Sequence, residues 1–391
     1  MPRVRQERAR TTEWNRGGWY RDSMPSALEA RAARLFCVGF HGLEPSPELA
    51  ELTKRGVRSV VLFARNVGEP REVAELTRRL KALTSEPLAV AVDQEGGNVR
   101  RLRRGFSEIP SMRAIGRTGD AELAHATGKL LGSELRAVGI DVAFAPVLDV
   151  DTNPENPVIG ARSFGSDPEL VARLGVALAR GIESVGVAAC GKHFPGHGDT
   201  ALDSHLALPR LAHARERVDA IELVPFRAAA RAGVASMMTA HVVFSALDPV
   251  LPATLSRSVL GVLREDVGYD GLVISDDLEM RAVLDHFGLE EAVLLGLEAS
   301  IDLFLVCHTP ERMHRAIDAV IHGVESGRIA ADRLDEAVAR VDSFLARWAA
   351  PLYAPRTLDV LRSPEHQALE ARLFALPGAS TEERDPTSAL A

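Results

Sequence analysis

The feature that most constrains the fold of this chain is a series of eight short apolar segments separated by stretches with helical periodicity. Each segment has the length of a buried strand and is rich in Val, Leu, Ile or Ala. Strands that alternate with helices indicate parallel strands joined by right-handed crossovers. The segments are Leu35–Phe40, Ser59–Phe63, Leu88–Val92, Val142–Pro146, Val187–Cys190, Ser236–Ala240, Leu272–Ile274 and Leu303–Val306.

The intervening stretches predict helices, and Ala331–Trp348 predicts a last amphipathic helix that covers the outside. Eight strand–helix units in roughly 320 residues fit an α/β fold of the closed (β/α)8, TIM-type barrel, with a single catalytic domain. An open doubly wound sheet is the alternative, because a sequence does not show closure. The other predicted helices are Pro70–Leu83, Ala121–Val138, Pro168–Val185, Val218–Ala232 and Pro310–Ser326.

The two ends of the chain lack this pattern. Residues 1–25 hold six arginines and few apolar side chains, and they predict a disordered N-terminal tail in which Met24 is an alternative start. Residues 26–350 are predicted to form the barrel domain. Residues 351–391 are predicted to form a C-terminal extension that is partly disordered.

Composition narrows the classes of function. The net charge of −8 argues against a nucleic-acid partner, and no apolar stretch is long enough to span a membrane. The N-terminus lacks the apolar core of a secretory signal. Cys37, Cys190 and Cys307 lie in or beside apolar segments, which predicts buried free thiols, a reducing compartment and therefore the cytoplasm. Nothing in the sequence indicates an obligate protein partner.

Titratable side chains follow five of the eight predicted strands, where a parallel barrel gathers its active site. These side chains are suited to acid–base chemistry or to binding a polyol. They are Asp93 and Glu95 after the third strand, Asp149 and Asp151 after the fourth, Lys192 to Asp199 after the fifth, His241 after the sixth, and Asp276 with Asp277 after the seventh.

The segment from His193 to His205 is the richest in such groups. His193 and His197 have the spacing of a zinc site on a helix, but the Pro195-Gly196 pair between them breaks any helix. We therefore predict no metal and no cofactor. In Asp203-Ser204-His205, residues two apart in an extended loop point the same way, so the carboxylate can hold the imidazole for proton transfer. A solvated polar loop is the alternative.

Asp276 and Asp277 are adjacent, and adjacent strand residues point to opposite faces. We therefore expect one to face the pocket and the other to cap the following segment, with a metal-binding acidic pair as the alternative. The chain contains no G-x-S-x-G elbow and no phosphate-binding loop.

Taken together, these motifs resemble glycoside hydrolase family 3, specifically its single-domain β-N-acetylglucosaminidases of bacterial cell-wall recycling. The resemblance spans roughly residues 30 to 350 and follows the family's order. It is carried by VDQEGGNVRRL from Val92, NPVIGARSFG from Asn156, GKHFPGHGDTALDSH from Gly191, PFRAAARAGVASMMTAHVVF from Pro225, LPATLS from Leu251 and GLVISDDLEM from Gly271.

The resemblance implies a role for each matching residue. Asp276 matches the nucleophile that forms a covalent glycosyl–enzyme, His205 the general acid/base, and Asp203 the partner of that histidine. An imidazole would thus replace one of the two carboxylates that retaining glycosidases usually pair. The residues that match those that bind the non-reducing N-acetylglucosamine in the family are Asp93, Arg101, Arg162, Lys192 and His193.

The expected substrate is a small carbohydrate, such as a muropeptide fragment. A phosphorylase and a β-glucosidase of the same family are the alternatives, together with an inactive sugar-binding protein on the same barrel. Two features depart from the family pattern: Asn98 stands where many relatives carry Arg, and we expect no long C-terminal second domain. The sequence does not select between supporting and loop-positioning roles for His197, Asp199 and His241.

Overall fold

The structure is a computed structural model that describes residues 25–202, 207–349 and 357–380. Eight parallel strands form a closed barrel in which every strand pairs with its neighbours in sequence and the last pairs with the first. This confirms the predicted (β/α)8 barrel and excludes the open sheet. The strands are β1 (Phe36–Val38), β2 (Ser59–Leu62), β3 (Ala89–Val92), β4 (Val142–Ala143), β5 (Ala188–Phe194), β6 (Ser236–Thr239), β7 (Leu272–Asp277) and β8 (Leu303–Val306).

Strands β5 and β7 extend further toward their carboxyl ends than their apolar patterns predict. Lys192 pairs in register with Met238 of β6, and Asp277 pairs with Leu305 of β8. Backbone pairing with the neighbours therefore continues past the predicted apolar run of each strand. As a result, Lys192, His193 and Asp276 lie within strands rather than in loops.

The helices surround the barrel. The predicted helix over Val218–Ala232 is instead two helices, interrupted at Ile221, whose backbone is not helical (φ −123°, ψ −71°). Pro225 explains the break, since a proline ring clashes with the carbonyl four residues earlier. The α-helices are Ala27–Arg34, Pro47–Arg55, Pro70–Lys81, Met112–Gly116, Ala121–Ala137, Pro168–Glu183, Arg215–Ala220, Leu223–Ala232, Arg257–Gly261, Arg281–Leu284, Leu289–Ala299, Pro310–Glu325, Ala331–Trp348 and Pro364–Phe374.

Within the described part of the chain, two short strand pairs lie outside the barrel sheet. A hairpin of Gln94–Gly96 and Val99–Arg100 follows β3, and Arg210–Leu211 pairs in parallel with Val243–Phe244. The hairpin is held by Gln94, whose side chain accepts from the backbone amides of Arg101 and Leu102 and donates to the Leu102 carbonyl. These contacts fix the direction of the chain at Arg101.

All three cysteines are buried and free, as predicted. Among the described residues, no helix combines the length and the apolar character that crossing a bilayer requires. The helix Pro364–Phe374 occupies part of the predicted C-terminal extension. The N-terminal tail to residue 24 and the stretches 350–356 and 381–391 lie outside the described residues, so the expectations for them stay predictions.

Candidate active site

A pocket opens at the carboxyl ends of the barrel strands. It receives six of the eight predicted site residues: Asp93, Arg101, Arg162, Lys192, His193 and Asp276. Apolar and further polar side chains complete its walls. They are Val61, Phe63, Phe144, Val158, His197, Met238, Asp277, Met280, Leu305, Cys307 and His308.

A buried network of charges forms one wall. The Lys192 ammonium lies 2.8 Å from Asp93 Oδ1 and 2.6 Å from Glu95 Oε1. Arg162 donates to both oxygens of Glu95, each at 2.8 Å, and Arg101 lies 3.7 Å from Asp93. Glu95 and Lys192 are each 2% exposed, whereas the side chain of Asp93 keeps 20% exposure. Glu95 therefore orients the two cations, while Asp93 faces the opening.

The network shifts the pKa values of Glu95 and Lys192 away from the neutral forms. Burial would raise the pKa of Glu95, but the charges of Arg162 and Lys192 outweigh it and hold that pKa well below its usual range. Burial would likewise lower the pKa of Lys192, but Asp93 and Glu95 raise it overall. The wall thus presents fixed charges, which make strong directional hydrogen bonds to hydroxyl groups.

Sequence reasoning placed Asp149 at a strand end but assigned it no role. Its fully buried carboxylate accepts from the backbone amides of His193 (3.1 Å) and His197 (2.7 Å) and from His193 Nδ1 (2.7 Å). A carboxylate can only accept, so Nδ1 of His193 carries the proton and Nε2 is the ring's remaining polar atom.

His197 is a neutral neighbour of His193. Burial, reinforced by His193, lowers the pKa of His197 to about 4. Its Nδ1 lies 2.8 Å from the hydroxyl of Thr200, and its carbonyl accepts from Asn156 at 2.9 Å. These bonds fix the backbone immediately after β5.

Asp276 and Asp277 both line the pocket, contrary to the simple alternation expected of a strand. The pairing of β7 with β8 shifts register between Ile274 and Asp277, which disturbs that alternation. The amide of Asp277 donates to Asp276 Oδ1 at 2.8 Å. Asp277 Oδ1 accepts from the amide of Glu279 at 3.0 Å within the turn after β7, whereas the next helix begins after Met280 and has no side-chain cap, so the contact of the second aspartate is limited to that turn.

Asp277 also contacts His308, a pocket residue that sequence reasoning missed. His308 Nε2 lies 3.0 Å from Asp277 Oδ2, and Arg65 lies 3.4 Å from Nδ1 of the same ring. Burial raises the pKa of Asp277, while His308 opposes that rise. The sequence could have indicated His308, because this residue follows the eighth strand and barrel active sites draw their residues from the carboxyl ends of several strands.

His241 supports the strand that carries Asp276. It is fully buried, its Nε2 donates to the backbone carbonyl of Asp277 (3.0 Å), and its Nδ1 contacts the Thr254 hydroxyl (2.8 Å). The structure thus selects a supporting role for this residue, which the sequence left open.

Of the basic residues that follow the departure at Asn98, Arg101 lines the pocket. Arg100 lies 3.4 Å from Glu108, and Arg103 donates to the carbonyl of Asn98 at 3.1 Å. The predicted acid/base pair, Asp203 and His205, lies outside the described residues. Within the described ranges, no three His, Cys, Asp or Glu side chains are arranged to hold a metal ion.

Known proteins are similar to this chain in both sequence and fold. Residues 28–344 match the N-terminal domain of glycosyl hydrolase family 3. A β-hexosaminidase of Thiobacillus denitrificans is 44% identical over 262 residues, which cover 65% of this chain and 72% of that protein.

Two solved structures superpose on the barrel. The glycoside hydrolase family 3 β-N-acetylglucosaminidase of a Paenibacillus species gives a TM-score of 0.84 at 46% identity, covering 89% of this chain and 68% of its own. NagZ of Neisseria gonorrhoeae, solved with N-trifluoroacetyl-D-glucosamine, gives 0.75 at 33% identity, with 87% and 96% coverage.

Proposed function

Because the chain belongs to glycosyl hydrolase family 3, we propose that it is a retaining β-N-acetylglucosaminidase that forms a covalent glycosyl–enzyme on Asp276. The observation that carries the proposal is the meeting of Asp276 with the charged wall of Asp93, Lys192 and Arg162 in one pocket. A carboxylate nucleophile beside groups that bind hydroxyls is the arrangement that glycoside hydrolysis requires. The β-hexosaminidase relatives support the same activity.

The charged wall is suited to holding the non-reducing sugar. Asp93 accepts from hydroxyls, Lys192 and Arg162 donate to them, and His193 Nε2 adds a polar atom whose position Asp149 fixes. Charge-assisted hydrogen bonds of this kind are stronger than neutral ones, so they orient the anomeric carbon toward Asp276. Phe63 and Met238 supply apolar surface in the same pocket.

The reaction proceeds in two displacements. An oxygen of Asp276 attacks the anomeric carbon, the bond to the leaving oxygen breaks, and His205 gives that oxygen a proton. In the second step His205 takes a proton from water, and the water oxygen attacks the anomeric carbon and releases Asp276. Asp203 holds the imidazole in both steps. The family resemblance and the position of both residues on the segment after β5 support these roles.

We further propose that the substrate is a muropeptide fragment and that the enzyme acts in the cytoplasm. The family resemblance of the sequence supports the muropeptide, and the complex of Neisseria gonorrhoeae NagZ with N-trifluoroacetyl-D-glucosamine supports an N-acylated glucosamine as its non-reducing sugar. Three buried free thiols fit a reducing compartment.

Paired substrates test the proposal. The expected result is release of p-nitrophenol from the N-acetyl-β-glucosaminide and much slower release from the β-glucoside. Asp276→Ala should abolish turnover while N-acetylglucosamine still binds, and the exposed Asp270→Ala, at the opposite end of β7, serves as the matched control. Near-normal activity of Asp276→Ala would refute the nucleophile assignment.

The product formed in phosphate buffer separates hydrolysis from phosphorolysis. A hydrolase gives free N-acetylglucosamine whether or not phosphate is present, since water accepts the glycosyl group in the second step. Accumulation of N-acetylglucosamine 1-phosphate would identify a phosphorylase instead.

A further inference from the structure

Asp199 lies in a polar cluster that the proposed reaction does not use. Its Oδ1 accepts from the Thr152 hydroxyl at 2.8 Å, and its Oδ2 accepts from His213 Nε2 at 2.5 Å and lies 3.3 Å from Arg217. Arg217 also donates to the Thr152 hydroxyl at 3.2 Å. We refer to Asp199, Thr152, His213 and Arg217 as the Asp199 cluster.

The Asp199 cluster joins three separate segments of the chain. Thr152 lies after β4, Asp199 lies after β5, and His213 and Arg217 lie at the helix Arg215–Ala220. The side chains of Asp199 and His213 are fourteen positions apart in sequence and yet in contact. The cluster therefore brings both ends of the intervening chain to one place on the barrel rim.

Neighbouring contacts anchor each end separately. On the first side, Asn153 donates to the Thr200 carbonyl at 3.2 Å. On the second side, Arg210–Leu211 pairs with Val243–Phe244, next to β6. The chain between Ala201 and Pro209 is thus bounded by two fixed points, and it includes the positions of Asp203 and His205.

Partial burial of the Asp199 cluster carries a desolvation penalty, because its members include charged side chains. The Asp199 and His213 side chains are 18% and 20% exposed, and Arg217 lies 3.5 Å from Glu222, whose burial raises its pKa. An apolar contact would join the same segments without the desolvation penalty of charged groups. Directional hydrogen bonds to both carboxylate oxygens fix orientation, which an apolar contact does not.

We infer that Asp199 is a positioning residue for the proton-transfer step, and that His213 is its partner. Asp199 fixes the two ends of the segment that carries the Asp203–His205 pair and so sets where the imidazole meets the leaving oxygen. The inference rests on the proposed function. It assigns a role to a motif residue that does not line the pocket.

Leaving-group dependence tests the inference, because activated leaving groups need little protonation. The substrates are phenyl and 2,4-dinitrophenyl N-acetyl-β-glucosaminides, and the variants are Asp199→Asn, His213→Ala, His213→Gln and His205→Ala. For Asp199→Asn we expect kcat on the phenyl glycoside to fall by about 10- to 100-fold, the scale of a displaced catalytic group. The dinitrophenyl glycoside should lose less than about threefold.

Other readouts separate positioning from general destabilisation. Inhibition by N-acetylglucosamine should stay within about twofold in Asp199→Asn, because the sugar-binding wall is untouched. His213→Gln, which keeps an N–H donor for Asp199, should retain more activity than His213→Ala. Asp219→Asn, a carboxylate that pairs with Arg215 and Arg227 nearby, is the matched control and should behave as the wild type.

Three results would overturn the inference. Asp199→Asn could lower kcat equally for both glycosides, it could change only the melting temperature, or His205→Ala could lack leaving-group dependence, which would leave Asp199 no acid to position. Failure of the proposed function itself is distinguishable, since the wild type would then release N-acetylglucosamine from neither glycoside.

Discussion

Asp149→Asn tests how the pocket fixes the proton of His193. The asparagine keeps one oxygen, which still accepts from the backbone amides of His193 and His197. Its amide nitrogen replaces the oxygen that lies 2.7 Å from His193 Nδ1. Two N–H donors would then face each other, so the imidazole loses the hydrogen bond that fixes its orientation in the pocket.

The size of the effect follows from the bond that is lost. A hydrogen bond to a charged partner contributes about 1.5–3 kcal/mol. Since about 1.4 kcal/mol corresponds to a factor of ten, kcat/KM should fall by about 10- to 150-fold. Inhibition by N-acetylglucosamine should weaken in parallel, because the same contact holds substrate and product.

The assay is hydrolysis of p-nitrophenyl N-acetyl-β-glucosaminide by wild type, Asp149→Asn and Asp141→Asn. Asp141 is the matched control, since it is also buried and accepts from a backbone amide, that of Val90, but at the opposite end of β4. Asp141→Asn should lower the melting temperature and leave kcat/KM within about twofold. Equal losses of kcat/KM in both variants, or wild-type activity of Asp149→Asn, would refute the reasoning.

Three further substitutions test other parts of the barrel. Glu95→Gln leaves the buried Arg162 guanidinium without its countercharge and leaves Lys192 with Asp93 alone, so we expect a loss of about 3–5 kcal/mol in urea unfolding; an unchanged unfolding free energy would contradict the charged wall. In the wild type, the lowered pKa of Glu95 predicts stability that is present above its ordinary value of 4.5 and lost as the pH falls below it. Glu183 has the opposite effect, because burial raises its pKa to about 7 and it therefore lowers the stability of the folded state as the pH rises from 4.5 to 7. In Glu183→Gln, the melting temperature should change less with pH between 4.5 and 7 than it does in the wild type. His241→Ala removes the hydrogen-bond donor to the Asp277 carbonyl and should lower kcat about tenfold, with KM little changed. A change in KM alone would show that His241 does not hold the strand that carries Asp276.

The sequence predicts the barrel because its signals are local. Each buried strand is an apolar run, and the carboxyl-end rule places Asp93, Lys192 and Asp276 at one rim, where the structure brings them together. The break at Ile221 was also readable, since Pro225 stands four residues later, but the helical pattern on both sides concealed it.

The contacts between distant segments could not be read in this way. Nothing in the spacing of Asp149 shows that its carboxylate holds His193 and His197, because the bonds depend on how β4 and β5 pair. The contact of Asp199 with His213 depends on the path of the chain between them, which no periodicity records. The register shift in β7 likewise arises from pairing with β8 rather than from the Ser-Asp-Asp sequence.

Covalent trapping tests the central assignment most directly. Incubation with a 5-fluoro N-acetylglucosaminyl donor slows the second displacement, so the glycosyl–enzyme accumulates and mass spectrometry of its peptides locates the attached sugar. We expect the sugar on Asp276. A sugar attached to another residue, or turnover of the donor with no covalent adduct at all, would contradict the assignment of Asp276 as the nucleophile.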